Sequence, residues 1–257
     1  MIVGFIGFGE VASTLTPILL ENGCEVVTSS HQRSLKTQKL ITESKIKDLK
    51  NNIEVSKSSD ILISTNSPSN ALNIAQKYGK MTNGLFLDIN NISPNTTKKI
   101  ANIIGDKFVD GAVIGKIDSK DSVIYLSGKN ADKIAILNDF GLKTKVISYD
   151  IGDASTIKML RSMYTKSVSA ILLETFEIAE KMGLKEELFD TIAITEGKQF
   201  KSQATSRIEN SIKYSKRKHE EMIELLIFLK DFEKELTNET MDKSIIEDVK
   251  NKFKRLN

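Results

Sequence analysis

The sequence predicts an α/β fold followed by an all-α region: a parallel sheet with its helices, then a helical domain. Three observations predict it. Short β-rich apolar runs alternate with polar helical stretches through the first half of the chain. A glycine-bearing turn, Gly7-Phe-Gly9-Glu-Val-Ala12, joins the first apolar run to the first helical stretch. Near Asp153 the pattern changes to helices and does not change back.

Taken in order, strands are expected at Ile2–Ile6, Glu25–Ser29, Asp60–Ser64, Leu85–Asp88, Lys107–Ala112, Val123–Ser127 and Thr144–Ser148. The first helix is expected over Ser13–Asn22. Ala154–Met182 reads as one long helix, because it contains no Pro and no Gly before Gly183. Further helices are expected at about Glu186–Thr195, Lys198–Asn210, Lys218–Leu236 and Lys243–Leu256. With no internal repeat or low-complexity linker, the natural division is an α/β domain over residues 1–150 and a helical one over residues 151–257.

A chain of 257 residues holds one generous domain or two smaller ones, and 40% hydrophobic content suits a packed soluble protein. A formal net charge of +3 is too small to argue for nucleic acid or an anionic membrane. The single cysteine, Cys24, excludes an intrachain disulfide and fits a reducing, cytoplasmic setting. No apolar run approaches the ~18 residues of a membrane span. The apolar N-terminus also lacks the basic segment of a signal peptide. Cys24, His31 and His219 have no metal-ligand spacing, so no metal is expected.

The turn after the first strand is G-x-G-x-x-A in the context that gives this pattern meaning, strand before and helix after. Gly7 permits the tight turn, Gly9 lets backbone approach a pyrophosphate, and Ala12 lets the helix sit close on the sheet. Helix-terminal N–H groups at Glu10 and Val11 then face the phosphates. The first domain is therefore expected to be a Rossmann-like NAD(P)-binding domain. At the end of the second strand an NAD site usually carries an acid for the ribose 2′-OH. Here Thr28-Ser29-Ser30-His31-Gln32-Arg33 offers two hydroxyls and an arginine instead. Arginine pairs with phosphate, so NADP(H) is the expected coenzyme.

Other strand ends carry small polar groups. Asn66, Ser67 and Pro68 follow the third predicted strand and border the cofactor crevice, although turn chemistry explains the same residues. Asn90, Asn91 and Ser93 cluster uncharged donors and acceptors where a substrate carboxylate or amide would lie. Ser93-Pro94 also reads as a helix cap with Pro at the first helical position, and both roles are compatible. On the long helix, Ser155, Lys158, Ser162, Thr165, Lys166 and Ser169 form one polar stripe with no acid before Glu174, which suits an anionic ligand. Lys158 is the candidate general acid/base. The basic cluster Lys213–His219 reads as a solvated surface, or as anion contacts reaching a neighbouring subunit's site.

Together these pieces resemble the 6-phosphogluconate dehydrogenase-like, or β-hydroxyacid dehydrogenase, superfamily. The resemblance rests on Gly7-x-Gly9-x-x-Ala12, Asp88-x-Asn90-x-x-Ser93-Pro94, Asp110-Gly-Ala-Val-Ile-Gly115 and Gly152-x-x-x-x-x-Lys158, in that order. The last three resemble its substrate-binding stretch, which includes Asn90, Asn91 and Ser93, a second glycine stretch ending at Gly115, and its catalytic-lysine helix. The helical half is similar to a branch whose C-terminal domain has no assigned function. The resemblance implies hydride exchange at the nicotinamide C4 with a small hydroxy-acid-like, carbonyl or imine substrate. Lys158 would move the proton, with Ser162 beside it, and the subunits would pair as a homodimer. Two positions depart from the family: Ser162 replaces its Asn, and Gly115-Lys116 replaces its Gly-Gly pair. Two other readings stay open, an imine reductase of the pyrroline-carboxylate reductase type and a non-catalytic NADP-binding protein.

Overall fold

The structure is a computed structural model that describes residues 1–236 and 240–256. The chain divides into two compact units, Met1–Lys158 and Met159–Asn257. The first contains β1 (Ile2–Ile6), α1 (Glu10–Glu21), β2 (Glu25–Thr28), α2 (Leu35–Glu43), β3 (Lys47–Asp48), α3 (Asn52–Ser58), β4 (Ile61–Ser64) and α4 (Ala71–Lys77). It continues with β5 (Leu85–Asp88), α5 (Pro94–Ile104), β6 (Phe108–Ile114), β7 (Val123–Ser127), α6 (Ala131–Ile134) and β8 (Thr144–Ser148). The long helix α7 (Asp153–Lys181) starts in this unit; α8 (Lys185–Glu196), α9 (Phe200–Lys213), α10 (Ser215–Glu235) and α11 (Ser244–Arg255) belong to the second.

One eight-stranded sheet, ordered β3-β2-β1-β4-β5-β6-β7-β8, forms the first unit. Its inner strands are apolar without alternation because both faces are covered. Phe5, Ile63, Leu87 and Val109 enter one core, and their neighbours Ile6, Leu62, Phe86 and Phe108 enter the other. Burying each phenylalanine contributes about 1.5–3 kcal/mol. The chain leaves β1 for β2 on one side and returns to β4 on the other. That reversal leaves a crevice at the carboxyl ends of β1 and β4.

The sheet departs from the all-parallel expectation at β7, which runs antiparallel to β6. Only residues 115–122 join these strands. A parallel crossover needs a dozen residues or more, so the chain turns back on itself. The two-residue strand β3 was not expected either; Lys47 and Asp48 are both exposed and carry no apolar signal.

In the second unit, Phe176, Phe189 and Phe200 pack around Ala204, with the first two rings stacked 4.1 Å apart. A larger core joins Leu173 of α7 to Met222, Leu225 and Leu229 of α10 and to Val249 and Phe253 of α11. Among the described residues, no helix is long and apolar enough to cross a membrane.

Candidate active site

The turn after β1 has the backbone its glycines imply. Gly7 has φ +96°, and a Cβ there would stand 2.4 Å from the Thr65 carbonyl oxygen, so neither conformation nor space admits another residue. Thr65 ties the turn down by donating its hydroxyl to the Gly7 carbonyl at 2.7 Å. Gly9 is the N-cap of α1 and supplies no side chain; nothing lies within 4 Å of where its Cβ would be. Glu10 is exposed, Val11 half-buried and Ala12 fully buried in the core beneath. Uncapped N–H groups beside open space at a helix start fit the diphosphate of a dinucleotide.

Hydrogen bonds join the ends of β4 and β5. The Asn90 carboxamide donates to Ser64 Oγ and Asp88 Oδ2, both at 2.8 Å, and accepts from the Asn66 amide. The Asn90 backbone N–H donates to Asp88 Oδ1 at 3.0 Å. Asn66 in turn donates its side-chain amide to the Ile6 carbonyl at 2.6 Å. Asn66 and Asn90, expected to face ligands, therefore spend much of their hydrogen bonding on aligning β1, β4 and β5. Burial pushes the Asp88 carboxyl up to about 7, against hydrogen bonds from Asn90 and Ser64 that favour its charged form. Ser67, Pro68 and Asn91 are exposed. Ser93 caps α5, accepting from the Thr96 N–H at 3.3 Å, with Pro94 at the first helical position.

The start of α7 is fastened to β6 and β7. Ser155 donates its hydroxyl to Asp110 Oδ1 at 2.7 Å and its N–H to Oδ2 at 2.9 Å. Ser127 Oγ donates to Asp110 Oδ2 at 3.1 Å and accepts the Ala154 N–H at 3.0 Å. Asp110 stands opposite Asp88 in the β5–β6 register. Burial raises the Asp110 carboxyl, opposed by the Ser155 and Ser127 hydrogen bonds and by the charge of Lys158. Lys158 is half-buried on the first turns of α7. Gly115 is exposed at the exit of β6.

After β2, Ser29 is buried and accepts the His31 N–H at 3.2 Å. Arg33 makes a long 3.4 Å bond to Asn52 Oδ1. The acid missing from this stretch arrives from β3, where Asp48 Oδ1 accepts the Ser30 N–H at 2.8 Å.

Within the second unit, the nearly buried Lys166 binds Glu221 of α10 at 2.5 Å and also Ser162 Oγ. Its charge, expected to face a ligand, is already partnered, and Ser162 is its hydroxyl acceptor. Arg217 Nε donates to Glu221 at 2.9 Å, and Lys218 Nζ donates to Ser211 Oγ at 2.6 Å. Burial, together with the charge of Lys166, lowers the Lys218 amine to about 8. Lys218 of the basic segment is thus engaged inside the unit, while Lys213, Lys216 and Arg217 are exposed, as a solvated surface has them. Among the described residues no group of His, Cys, Asp and Glu is arranged to hold a metal.

Ser64, Ser127 and Asp48 were not singled out from the sequence, and Asp88, Asp110 and Ser155 stood there only as members of motifs or of a polar stripe, without these roles. An aspartate closing or interrupting an apolar strand, as in Leu85-Phe-Leu-Asp88 and Phe108-Val-Asp110, is the signal that marks two of them.

Residues 2–91 match the family model described as NADP oxidoreductase, coenzyme F420-dependent. The whole chain is 44% identical to an uncharacterised 28.5 kDa protein in the 7S RNA 5′ region of Methanothermus fervidus, covering 99% of that protein. It is 39% identical to the conserved protein MTH1747, of unknown function, across 100% of this chain and 98% of that one, with a TM-score of 0.82. The structure of that protein is described as similar to 3-hydroxyacid dehydrogenases. The fold also matches 3-hydroxyisobutyrate dehydrogenase of Mycobacterium tuberculosis with a TM-score of 0.79, over 99% of this chain and 92% of that one. At 14% identity, that last match concerns fold alone.

Proposed function

We propose that the chain, which belongs to the family of these two full-length relatives and is an NAD(P)-dependent oxidoreductase, is an NADP-dependent enzyme of the β-hydroxyacid dehydrogenase type acting on a small anionic substrate. The substrate class is a hydroxy acid or the matching carbonyl or imine. Residues 1–150 would bind the coenzyme and residues 151–257 would serve substrate binding and dimerisation. Cys24, free and buried, fits the cytoplasmic setting expected for it.

The observation that carries the reading is Lys158 itself, half-buried on the first turns of a helix whose start is hydrogen-bonded to Asp110 and Ser127 of the sheet. Gly7, Gly9, Glu10, Val11 and Ala12 would hold the coenzyme diphosphate, with Asn66, Ser67 and Pro68 at the crevice edge. Ser29, Ser30 and Arg33 would take the 2′-phosphate; the long Arg33–Asn52 bond is weak enough to be exchanged for it. Bound coenzyme supplies the hydride donor or acceptor. Lys158 then receives the hydroxyl proton during oxidation, or returns one to a carbonyl oxygen or imine nitrogen during reduction. Asn90, Asn91, Ser93, Gly115 and Lys166 remain the substrate-side candidates, with Ser162 next to the lysine in sequence pattern.

The test is a coenzyme titration followed by a screen of short hydroxy acids, keto acids and cyclic imines for NADPH-linked turnover. NADPH should bind more tightly than NADH, and Arg33→Ala should weaken NADPH alone by about tenfold. Lys158→Ala should keep NADPH affinity and lose turnover. Tighter NADH binding would overturn the coenzyme assignment, and undiminished turnover the lysine assignment.

A further inference from the structure

Strands β4 and β5 end side by side, with Ser64 opposite Asp88 in the register and both side chains buried. Two residues later comes Asn90, whose backbone N–H closes a turn onto Asp88 Oδ1. A carboxamide has two N–H donors and one oxygen. Both donors are spent, on Ser64 Oγ and Asp88 Oδ2. The nitrogen end is thereby fixed, and the oxygen points the other way, to the Asn66 N–H. Asn90 is 5% exposed, and its side chain has no N–H left to offer a substrate.

The Asn66 N–H belongs to the segment that shapes the turn after β1. A Cβ on Gly7 would meet the Thr65 carbonyl oxygen at 2.4 Å and Asn66 Oδ1 at 2.8 Å, so Thr65 and Asn66 form the wall against which that turn lies. The Thr65 hydroxyl donates to the Gly7 carbonyl, and the Asn66 side chain donates to the carbonyl of Ile6, the residue before it. Hydrogen bonds therefore run without a break from Asp88 and Ser64 through Asn90 and Asn66 to the backbone of β1. A buried network whose members satisfy one another holds a single geometry.

We propose that Asn90 is a positioning residue for the coenzyme: its carboxamide, oriented by Asp88 and Ser64, holds Thr65 and Asn66 against the Gly7 turn. This assignment rests on that turn holding the coenzyme diphosphate. It moves Asn90 off the substrate side and leaves Asn91, Ser93, Gly115 and Lys166 there. NADPH and NADH share the diphosphate, so the network supports both coenzymes equally, and the choice between them falls to Ser29, Ser30 and Arg33.

The test uses the full chain without substrate. Both Asn90 carboxamide protons, assigned through their own Cβ, should exchange with solvent about a hundredfold more slowly than those of the exposed Asn91. That readout needs no variant to fold. Ser64→Ala removes one acceptor, and Asn90→Ala removes the whole link. In fluorescence titrations each variant should bind NADPH and NADH more weakly by the same factor, about tenfold in Asn90→Ala and less in Ser64→Ala. The Gly7 amide resonance of the coenzyme-free chain should move in both. If Asn90→Ala does not fold, Ser64→Ala carries the comparison. Exchange as fast as that of Asn91, unchanged affinity, an unmoved Gly7 amide, or a loss confined to one coenzyme would overturn the proposal. A parent chain that binds neither coenzyme defeats the functional reading before any variant is made, whereas failure of this assignment alone leaves the parent's NADPH binding intact.

Discussion

Asp88 is enclosed within the sheet, and its carboxyl is raised from 3.8 to about 7 chiefly because burial disfavours the charge. A group raised on folding binds more protons in the native chain than in the unfolded one between these values. Stability from this residue is therefore complete below about pH 4 and falls as pH rises toward 7. Asp88→Asn should flatten that fall in melting temperature between pH 5 and 7.5. That window lies below the range where Lys218, lowered to about 8, adds a dependence of opposite sign. The variant gives up one acceptor for the two Asn90 donors, about 1 kcal/mol, so it should start less stable at pH 5, cross the parent near pH 6 and be the more stable protein by pH 7.5. Parallel slopes for the two proteins would show that Asp88 is not the titrating group. The sequence displayed this aspartate at a strand end but not its burial, because burial follows from β4 and β6 flanking β5. The same limit hid Asp48, which meets Ser30 only through the pairing of β2 with β3.

At the scale of elements, α5 and α7 solve the same problem differently. Each begins at the end of a strand segment and must satisfy N–H groups that have no partner within the helix. In α5 the solution is local and was readable: Ser93 bonds the Thr96 N–H, and Pro94 needs no donor. In α7 the solution comes from residues 45 and 27 positions away, Asp110 and Ser127, and no local pattern announces it. Ser93→Ala should accordingly cost about 1 kcal/mol and lower the melting temperature of the coenzyme-free chain by about 2–4 °C, with Ser93→Asp recovering most of it. A loss absent from the coenzyme-free protein, seen only in turnover, would assign Ser93 to the substrate instead of the helix. Seven of the eight strands lie where apolar runs placed them, since both-face burial leaves a continuous apolar signature. Lys47–Asp48 escaped because an exposed two-residue edge strand has none.

For the molecule as a whole, the question is what covers the outer face of α7. Tyr164, Ile171 and Ile178 are 67%, 62% and 53% exposed, and with the exposed Ile157 they recur every seventh residue. A seven-residue apolar repeat on a 29-residue helix is the pattern of a helix that pairs with another. Leu160, also exposed, lies on the same side between Ile157 and Tyr164. A standard interface takes about 800 Å² from each partner, and a helix of this length with its flanks supplies an area of that order. The chain should therefore sediment as a homodimer at micromolar concentration, as the family resemblance implies. Ile171→Glu with Ile178→Glu would place two carboxylates from each subunit at the contact and should give a folded monomer. Both side chains are exposed within a single protomer, so their replacement should cost little in the melting of the monomer itself. A monomeric parent, or a variant that remains dimeric, would show that copies of this chain do not meet along α7.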